Sequence, residues 1–315
     1  MSASARLDVA LSGGAGFIGS HLADALLAAG HRVSVIDDLS SGRRENVPAG
    51  AELHVLDVRS PQAAELATAN DVLVHTAAQT DVRRSLEDPA FDASVNLLGG
   101  LNLLAGVRRG GRLRQVVFAS TGGAIYGEQD AFPAPEEHPT RPLSPYGVSK
   151  LAFERYLFVH HTAYGLDAAC LRYGNVYGER QNPHGEAGVV AIFLDRLLAG
   201  EPPTINGDGL QTRDYVHVSD VVRATVATVG RPGFLVYNVG TGVETSVVDL
   251  YRELARAVGS ELEPVHGPPK PGEQQRSSID PLRLLRELAL PAPLPLAAGL
   301  ARTAAWFRAR SAAQD

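Results

Sequence analysis

Tyr146 and Lys150 stand four residues apart in the stretch PYGVSK. On a helix, residues i and i+4 share a face. A lysine ammonium beside a phenol favours the phenolate and lowers the phenol pKa from about 10 toward neutrality. A phenolate so tuned is a general base for a hydroxyl proton. The spacing alone is common by chance, but the chain has 27 arginines and only two lysines, Lys150 and Lys270. Placement of either lysine on the surface without a role is the alternative. Two hydroxyls, Ser120 and Thr121, close the apolar run Gln115–Ala119 just upstream. Hydroxyls at the carboxyl end of a parallel strand sit at the mouth of a site.

The element that must supply a partner for this pair opens the chain. Residues 7–29, LDVALSGGAGFIGSHLADALLAA, read as strand, glycine turn and helix, the first unit of a dinucleotide-binding fold. Gly13 permits the turn, Gly16 lets backbone approach a pyrophosphate, and Gly19 lets the helix lie close to the strand. Phe17 and Ile18 begin the helix, whose free N–H groups point at the phosphates. A second strand, HRVSVID, ends at Asp37, where an acid accepts hydrogen bonds from ribose hydroxyls. An acid there repels a 2′-phosphate and favours NAD over NADP. Asp37 and Asp38 also suit the start of the turn DDLSSG, with Ser40, Ser41 and Gly42, and Arg43 and Arg44 keep NADP open.

Further strands are expected at 52–57, 71–75, 115–119 and 167–172. Asp57 and Val58 would meet an adenine edge, and Ala77, Ala78 and Gln79 would let backbone pack on a cofactor or simply begin a loop. A long helix is expected from Phe91 to Val107, with Asn96 facing inward and pinning neighbouring loops. A helix starting at Ser144 or Pro145 carries Tyr146 and Lys150. The sheet would be parallel and doubly wound, with helices on both faces. Beyond Tyr173 the chain turns rich in Gly, Asn and Pro, the look of a binding loop. Helices are expected at 189–198 and 247–258, strands at 235–239 and 261–266, and a tail of two helices interrupted by prolines 291, 293 and 295. This divides the chain into a cofactor domain over 1–174, rejoined by a segment near 212–240, and a smaller α/β substrate lobe over most of 175–315.

Composition agrees with a soluble globular enzyme. The net charge of −6 gives no reason to expect nucleic acid or an anionic membrane surface as partner. Cys170 stands alone, so neither a disulfide framework nor a cysteine zinc cluster is expected, and no metal site is read. No apolar signal core and no membrane-length span is present, which makes the cytoplasm the expected location.

Taken together, GGAGFIGSHL at 13–22, Asp37, HTAAQ at 75–79, Tyr146 to Lys150, RYGNVYG at 172–178, RDYVHVSD at 213–220, YNVGTG at 237–242 and PGE at 271–273 resemble the extended short-chain dehydrogenases/reductases, and within them the NAD-dependent nucleotide-sugar 4-epimerases. The resemblance implies a Rossmann fold, a bound and recycled NAD, and a UDP-hexose substrate inverted at C4 through a 4-keto sugar. It implies Tyr146 as base, Lys150 as its electrostatic partner and anchor of the nicotinamide ribose, and Tyr173 among the cofactor contacts. Asn175 and Arg213 would hold the diphosphate, although Arg213 could instead pair with Asp214 or Asp220. Val189 and Asn206 would line the base pocket or serve as core and turn. A homodimer through helices near 91–108 and 145–164 is also implied.

Three departures from the family pattern matter. The usual catalytic hydroxyl, four residues before the motif tyrosine Tyr126, is replaced by Gly122, so Thr121, Ser120 or water must supply it. The related dehydratases and decarboxylases carry acids where Gly123 and Ala124 stand, which argues against both reactions. The family's diphosphate arginine appears as Lys270, with Arg276 as the other candidate. Ser277 stands where a tyrosine closes some pockets to N-acetylated sugars, so those sugars are open as substrates. A uronate epimerase, another nucleotide-sugar tailoring enzyme, or a catalytically silent NAD-binding regulator are the other readings.

Overall fold

The computed structural model describes residues 6–183, 188–269 and 274–311. Seven parallel strands form the central sheet: β1 (Asp8–Ser12), β2 (Arg32–Asp37), β3 (Glu52–Val55), β4 (Val72–His75), β5 (Gln115–Thr121), β6 (Asp167–Tyr173) and β7 (Phe234–Val239). Their order is β7-β6-β5-β4-β1-β2-β3. The order reverses between β1 and β4, and in such sheets ligands bind at that switch point, beyond the carboxyl ends of the strands. Ser12, His75, Thr121, Tyr173 and Val239 are the last residues of their strands and mark that edge.

These strands are nearly continuous apolar runs because both faces are covered. On one face α1 (Phe17–Ala28) packs in a core with Val9, Leu22, Val117 and Leu171. On the other, α2 (Pro145–Tyr164) packs Phe153 and Leu157 against Leu73, Phe118 and Cys170. The start of α2 is written locally. The Ser144 side chain accepts from the Gly147 N–H, Pro145 occupies the first helical turn, and Gly165 ends the helix at φ 68°.

Three further helices, α3 (Val189–Leu198), α4 (Val218–Thr228) and α5 (Val247–Val258), precede the tail helix α6 (Leu296–Ser311). Of these, α3, α5 and α6 share a second core around Phe193, Leu250, Leu254 and Leu300. Short strand pairs join 175–177 to 215–217, 212–213 to 245–246, and 204–206 to 265–267. The strand expected over 261–266 is thus confined to Val265–Gly267. Among the described residues no helix is long and apolar enough to cross a membrane.

The helix expected over 91–107 is broken. An α-helical turn, Pro89–Ala93, passes into a π-helix, Ser94–Gly99, and then into a short α-helix, Gly100–Leu103. Packing on both sides leaves room only for glycine at the end of the π-helix. A Cβ on Gly99 would meet Val58 at 2.7 Å, and one on Gly100 would meet Phe153 at 2.7 Å. π-helical turns are frequent at functional sites.

Candidate active site

Sterics dictate the glycine turn. Gly13 has φ +75°, and a Cβ there would stand 2.6 Å from the Ala77 nitrogen. A Cβ on Gly19 would collide with the Gly13 carbonyl. The helix α1 therefore starts tight against β1 at Gly16, Phe17 and Ile18. Its N-terminus has no side-chain cap and no acid in its first turn, which leaves N–H groups open to an anion.

Asp37, at the end of β2, is buried, and it accepts from the N–H groups of Ala15 and Leu39, both at 2.9 Å. Burial pushes its pKa up, against the pull of those two hydrogen bonds. Further lone pairs remain for a ribose. Asp38 turns back on Ser40, accepting from its N–H at 2.9 Å and its hydroxyl at 2.6 Å. Ser41 and Gly42 complete the turn, and the Arg43 N–H returns to the Ala15 carbonyl at 3.0 Å. The Arg43 side chain lies 3.6 Å from Glu45. The Asp57 carboxylate is taken by Arg59, which draws its pKa down, and Val58 is buried with its carbonyl held by Asn102 at 2.7 Å. After β4, the Ala77 N–H bonds the Ser12 carbonyl at 3.1 Å. Beyond Ala78, Gln79 is clasped by Asn96. The Asn96 Oδ1 accepts from the Gln79 N–H at 2.8 Å, and its Nδ2 donates to the Gln79 carbonyl at 2.9 Å.

Tyr146 and Lys150 meet the end of β5. Lys150 is buried; its Nζ donates to the Ala119 carbonyl at 2.9 Å and lies 4.8 Å over the Phe118 ring and 5.9 Å from the Tyr146 ring centre. Burial pulls its pKa down to about 8, opposed by the carboxylate of Asp92. The Thr121 side chain acts on the Tyr146 phenol and favours loss of its proton. The Tyr146 pKa stands above the ordinary phenol value, through burial first and the Asp92 charge second, with Thr121 opposing. The lowering expected from Lys150 is therefore not a property of the protein alone. The ammonium is spent on a carbonyl and ring faces, and desolvation wins.

Strand alternation separates the two candidate hydroxyls. Thr121 meets Tyr146, whereas the Ser120 Oγ donates to Glu154 Oε1 at 2.5 Å. Glu154 pairs with Arg172 at 2.7 Å, both side chains buried, and Arg172 also donates to the Tyr126 hydroxyl at 3.0 Å. Ser120 thus belongs to a buried network behind the site. Tyr173 closes β6 at the same carboxyl edge of the sheet, and its side chain enters the core under α4, with its hydroxyl 2.9 Å from that of Thr225.

The residues expected to meet the substrate come from separate segments. Asn175 and Thr121 flank Gly123. A Cβ on Gly123 would lie 3.7 Å from Asn175 Oδ1 and 4.0 Å from Thr121 Oγ1. Arg213 donates to the Thr212 carbonyl at 2.7 Å. Its neighbour Asp214 accepts from Thr241, Gly242 and Ile279, and Asp220 pairs with Arg223. Arg276 is committed to Glu244 at 2.6 Å and stacks over Phe132, 3.8 Å from the ring centre. Ser277 is buried. Val189 packs, partly buried, on the second core, and the Asn206 carbonyl accepts from Gln211 at 3.3 Å. Lys270 lies outside the described residues.

Residues 9–240 match the profile described as the NAD dependent epimerase/dehydratase family. The chain belongs to this family. A family relative, the UDP-glucose 4-epimerase of Mycolicibacterium smegmatis, is 45% identical over 309 residues, which cover 96% of this chain and 98% of that protein. A UDP-glucose 4-epimerase from Thermotoga maritima, solved with UDP-glucose, superposes with TM-score 0.92 at 41% identity, covering 96% of this chain and 99% of that one. The UDP-glucose 4-epimerase of Thermus thermophilus, solved with NAD, has TM-score 0.89 and 44% identity over the same shares.

The residues present fit the cofactor of the family's description. The uncapped start of α1, the steric demand at Gly13 and Gly19, and the backbone-anchored Asp37 form a cradle for a dinucleotide diphosphate and its ribose. Three residues that sequence reasoning did not single out stand at the site's back: Asp92, Glu154 and Glu244. For Asp92 a signal existed, since it precedes the inward-facing Asn96 by one helical turn in FDASVN.

Proposed function

We propose that the chain is an NAD-dependent UDP-hexose 4-epimerase, a reading carried by the meeting of Tyr146, Lys150 and Thr121 at the end of β5, beside the glycine turn. When bound, NAD supplies the hydride acceptor and donor for the sugar C4 and a cationic ring whose charge favours the phenolate. Tyr146 takes the proton from the sugar 4-hydroxyl and returns it after the 4-keto sugar has turned over. Thr121, rather than Ser120, bridges the phenol and the sugar hydroxyl. Lys150 holds the nicotinamide ribose and keeps positive charge beside the phenol. Asn175 and Arg213 hold the diphosphate, and the lobe over most of residues 175–315 shapes the sugar and base pockets. The start of α1, Asp37, Asp38, the Ser40–Gly42 turn, Asp57, Val58 and the Ala77–Gln79 turn form the cofactor side.

Gly123 and Ala124 supply no acid to expel a 6-hydroxyl, which supports epimerisation over dehydration. The small Ser277 supports room for an N-acetyl group. Proton NMR of the purified protein with UDP-glucose, UDP-N-acetylglucosamine or UDP-glucuronate, without added reductant, tests the reading. The C4 epimer of UDP-glucose is expected, with NAD rather than NADP released on denaturation. A 4-keto-6-deoxy or pentose product would overturn it.

The assembly we infer is a cytoplasmic homodimer. On α2, Val148, Tyr156 and Val159 are half exposed, and the adjoining π-helix adds Leu98 at 59% exposure. An apolar stripe of this size on two adjoining helices favours a second copy. Sedimentation should give a dimer that Val159→Arg converts to monomer. A monomeric wild type at micromolar concentration would exclude it.

A further inference from the structure

Behind Tyr146 and Lys150 lies a charge to which neither the family comparisons nor the proposed reaction gives a part. Asp92 is fully buried. Its Oδ1 accepts from Gln79 Nε2 and from Asn96 Nδ2, both at 3.0 Å, and its Oδ2 accepts from Ser149 Oγ at 2.6 Å. These three donors come from the turn after β4, the π-helix and α2. Ser149 is the residue next to Lys150, and the Gln79–Asn96 clasp sets the turn that begins at Ala77, against Gly13. One carboxylate therefore ties the cofactor turn to the catalytic helix. It also does so at the point where the helix opens into a π turn. Burying an ion is costly, and the three donors meeting this carboxylate offset that cost.

We propose that Asp92 is a positioning residue for the Tyr146–Lys150 pair, holding the cofactor turn to α2 and setting through its charge the pH range in which the pair works. The inference rests on the epimerase reading.

The sign follows from the facing groups. From α2 these are Lys150 and Tyr146. From the end of β4 comes His75, which burial and the Lys150 charge keep neutral, its pKa lowered to about 3. Arg83, Arg84 and Glu87, on the neighbouring helix Val82–Glu87, are exposed on its outer side. The negative charge of Asp92 raises the pKa values of both Lys150 and Tyr146. The working pair is phenolate with ammonium. Removing the charge eases loss of the phenol proton and of the ammonium proton alike, so both limbs of the rate profile move to lower pH.

The test is the pH dependence of kcat for UDP-glucose epimerisation by the NAD-loaded enzyme, with NAD content and melting temperature recorded for each variant. Asp92→Asn and Asp92→Ser should shift the whole profile down by about 1 pH unit, with kcat reduced and KM little changed. Asp92→Glu should return the profile to its place even if kcat stays low. Ser149→Ala, which keeps the charge and removes one donor, should lower the melting temperature and leave the profile where it was. Folded charge-free variants with an unmoved profile would overturn the proposal. So would failure of both charge-free variants to fold while Asp92→Glu folds, since Asp92 would then be structural only. Wild type that makes no UDP-galactose would instead sink the epimerase reading, and the role drawn from it, on separate grounds.

Discussion

Tyr146→Phe should lower kcat for UDP-glucose epimerisation by roughly 10²- to 10⁴-fold, the range spanned by a lost general base. The ring occupies the same volume, so substrate and NAD should still bind and KM should change little. The loss follows from position. The Thr121 side chain favours the phenolate and the ring shares a helical face with Lys150, which is why the proposed reaction gives Tyr146 the 4-hydroxyl proton. Ser120 cannot substitute, because it donates into Glu154. The measurement is initial rate by coupled assay, with retained NAD as the control for folding. A variant turning over within a few-fold of wild type would remove Tyr146 from the chemistry.

The second large effect is on stability. Glu154→Gln should cost about 3–5 kcal/mol in urea unfolding, because it leaves the Arg172 charge buried without its partner. Both side chains are at most 5% exposed, so solvent does little to relieve the imbalance. Burial alone would lower the Arg172 pKa, and the hydrogen bonds and charge of Glu154 more than reverse this. Replacing both residues by leucine should cost much less than the single change, since no lone ion then remains. A loss below about 1 kcal/mol for Glu154→Gln would show that water or a rearranged side chain reaches the guanidinium. The pair joins α2 to β6 directly beneath the strand end that presents Thr121, so a marginally folded variant should also epimerise slowly.

The sheet, its order of chemistry-bearing turns, and helices α3 and α5 were legible in the sequence because their signals are local. Glycines must fall within a few residues of one another to make the first turn. The apolar period of a helix is carried by the helix itself. Tyr146 and Lys150 were legible for the same reason. What was not legible depends on pairs far apart in the chain. Whether Ser120 or Thr121 faces the phenol is decided by which side of β5 meets Glu154, 34 residues later. Arg276 was one of two candidates for the diphosphate, and its pairing with Glu244, 32 residues earlier, could not be read from the sequence. The π-helix at Ser94–Gly99 interrupts a run whose apolar period reads as one continuous helix, and no period in the helix itself announces it. Asp92 needed three partners from three segments before its burial made sense.

The placement of β7 bears on how this architecture can be taken apart. That strand arrives after the chain has already built much of the second lobe, yet it pairs along the whole of β6. A fragment cut just after β6 would present a long unpaired strand edge, an invitation to aggregate. It would also lack α4, which packs with α1 over the first face of the sheet. The cofactor-binding half is therefore not a portable module. Grafting a new specificity onto this chain must proceed by exchanging loops and lobe surface within one continuous polypeptide, with the interleaved sheet left whole.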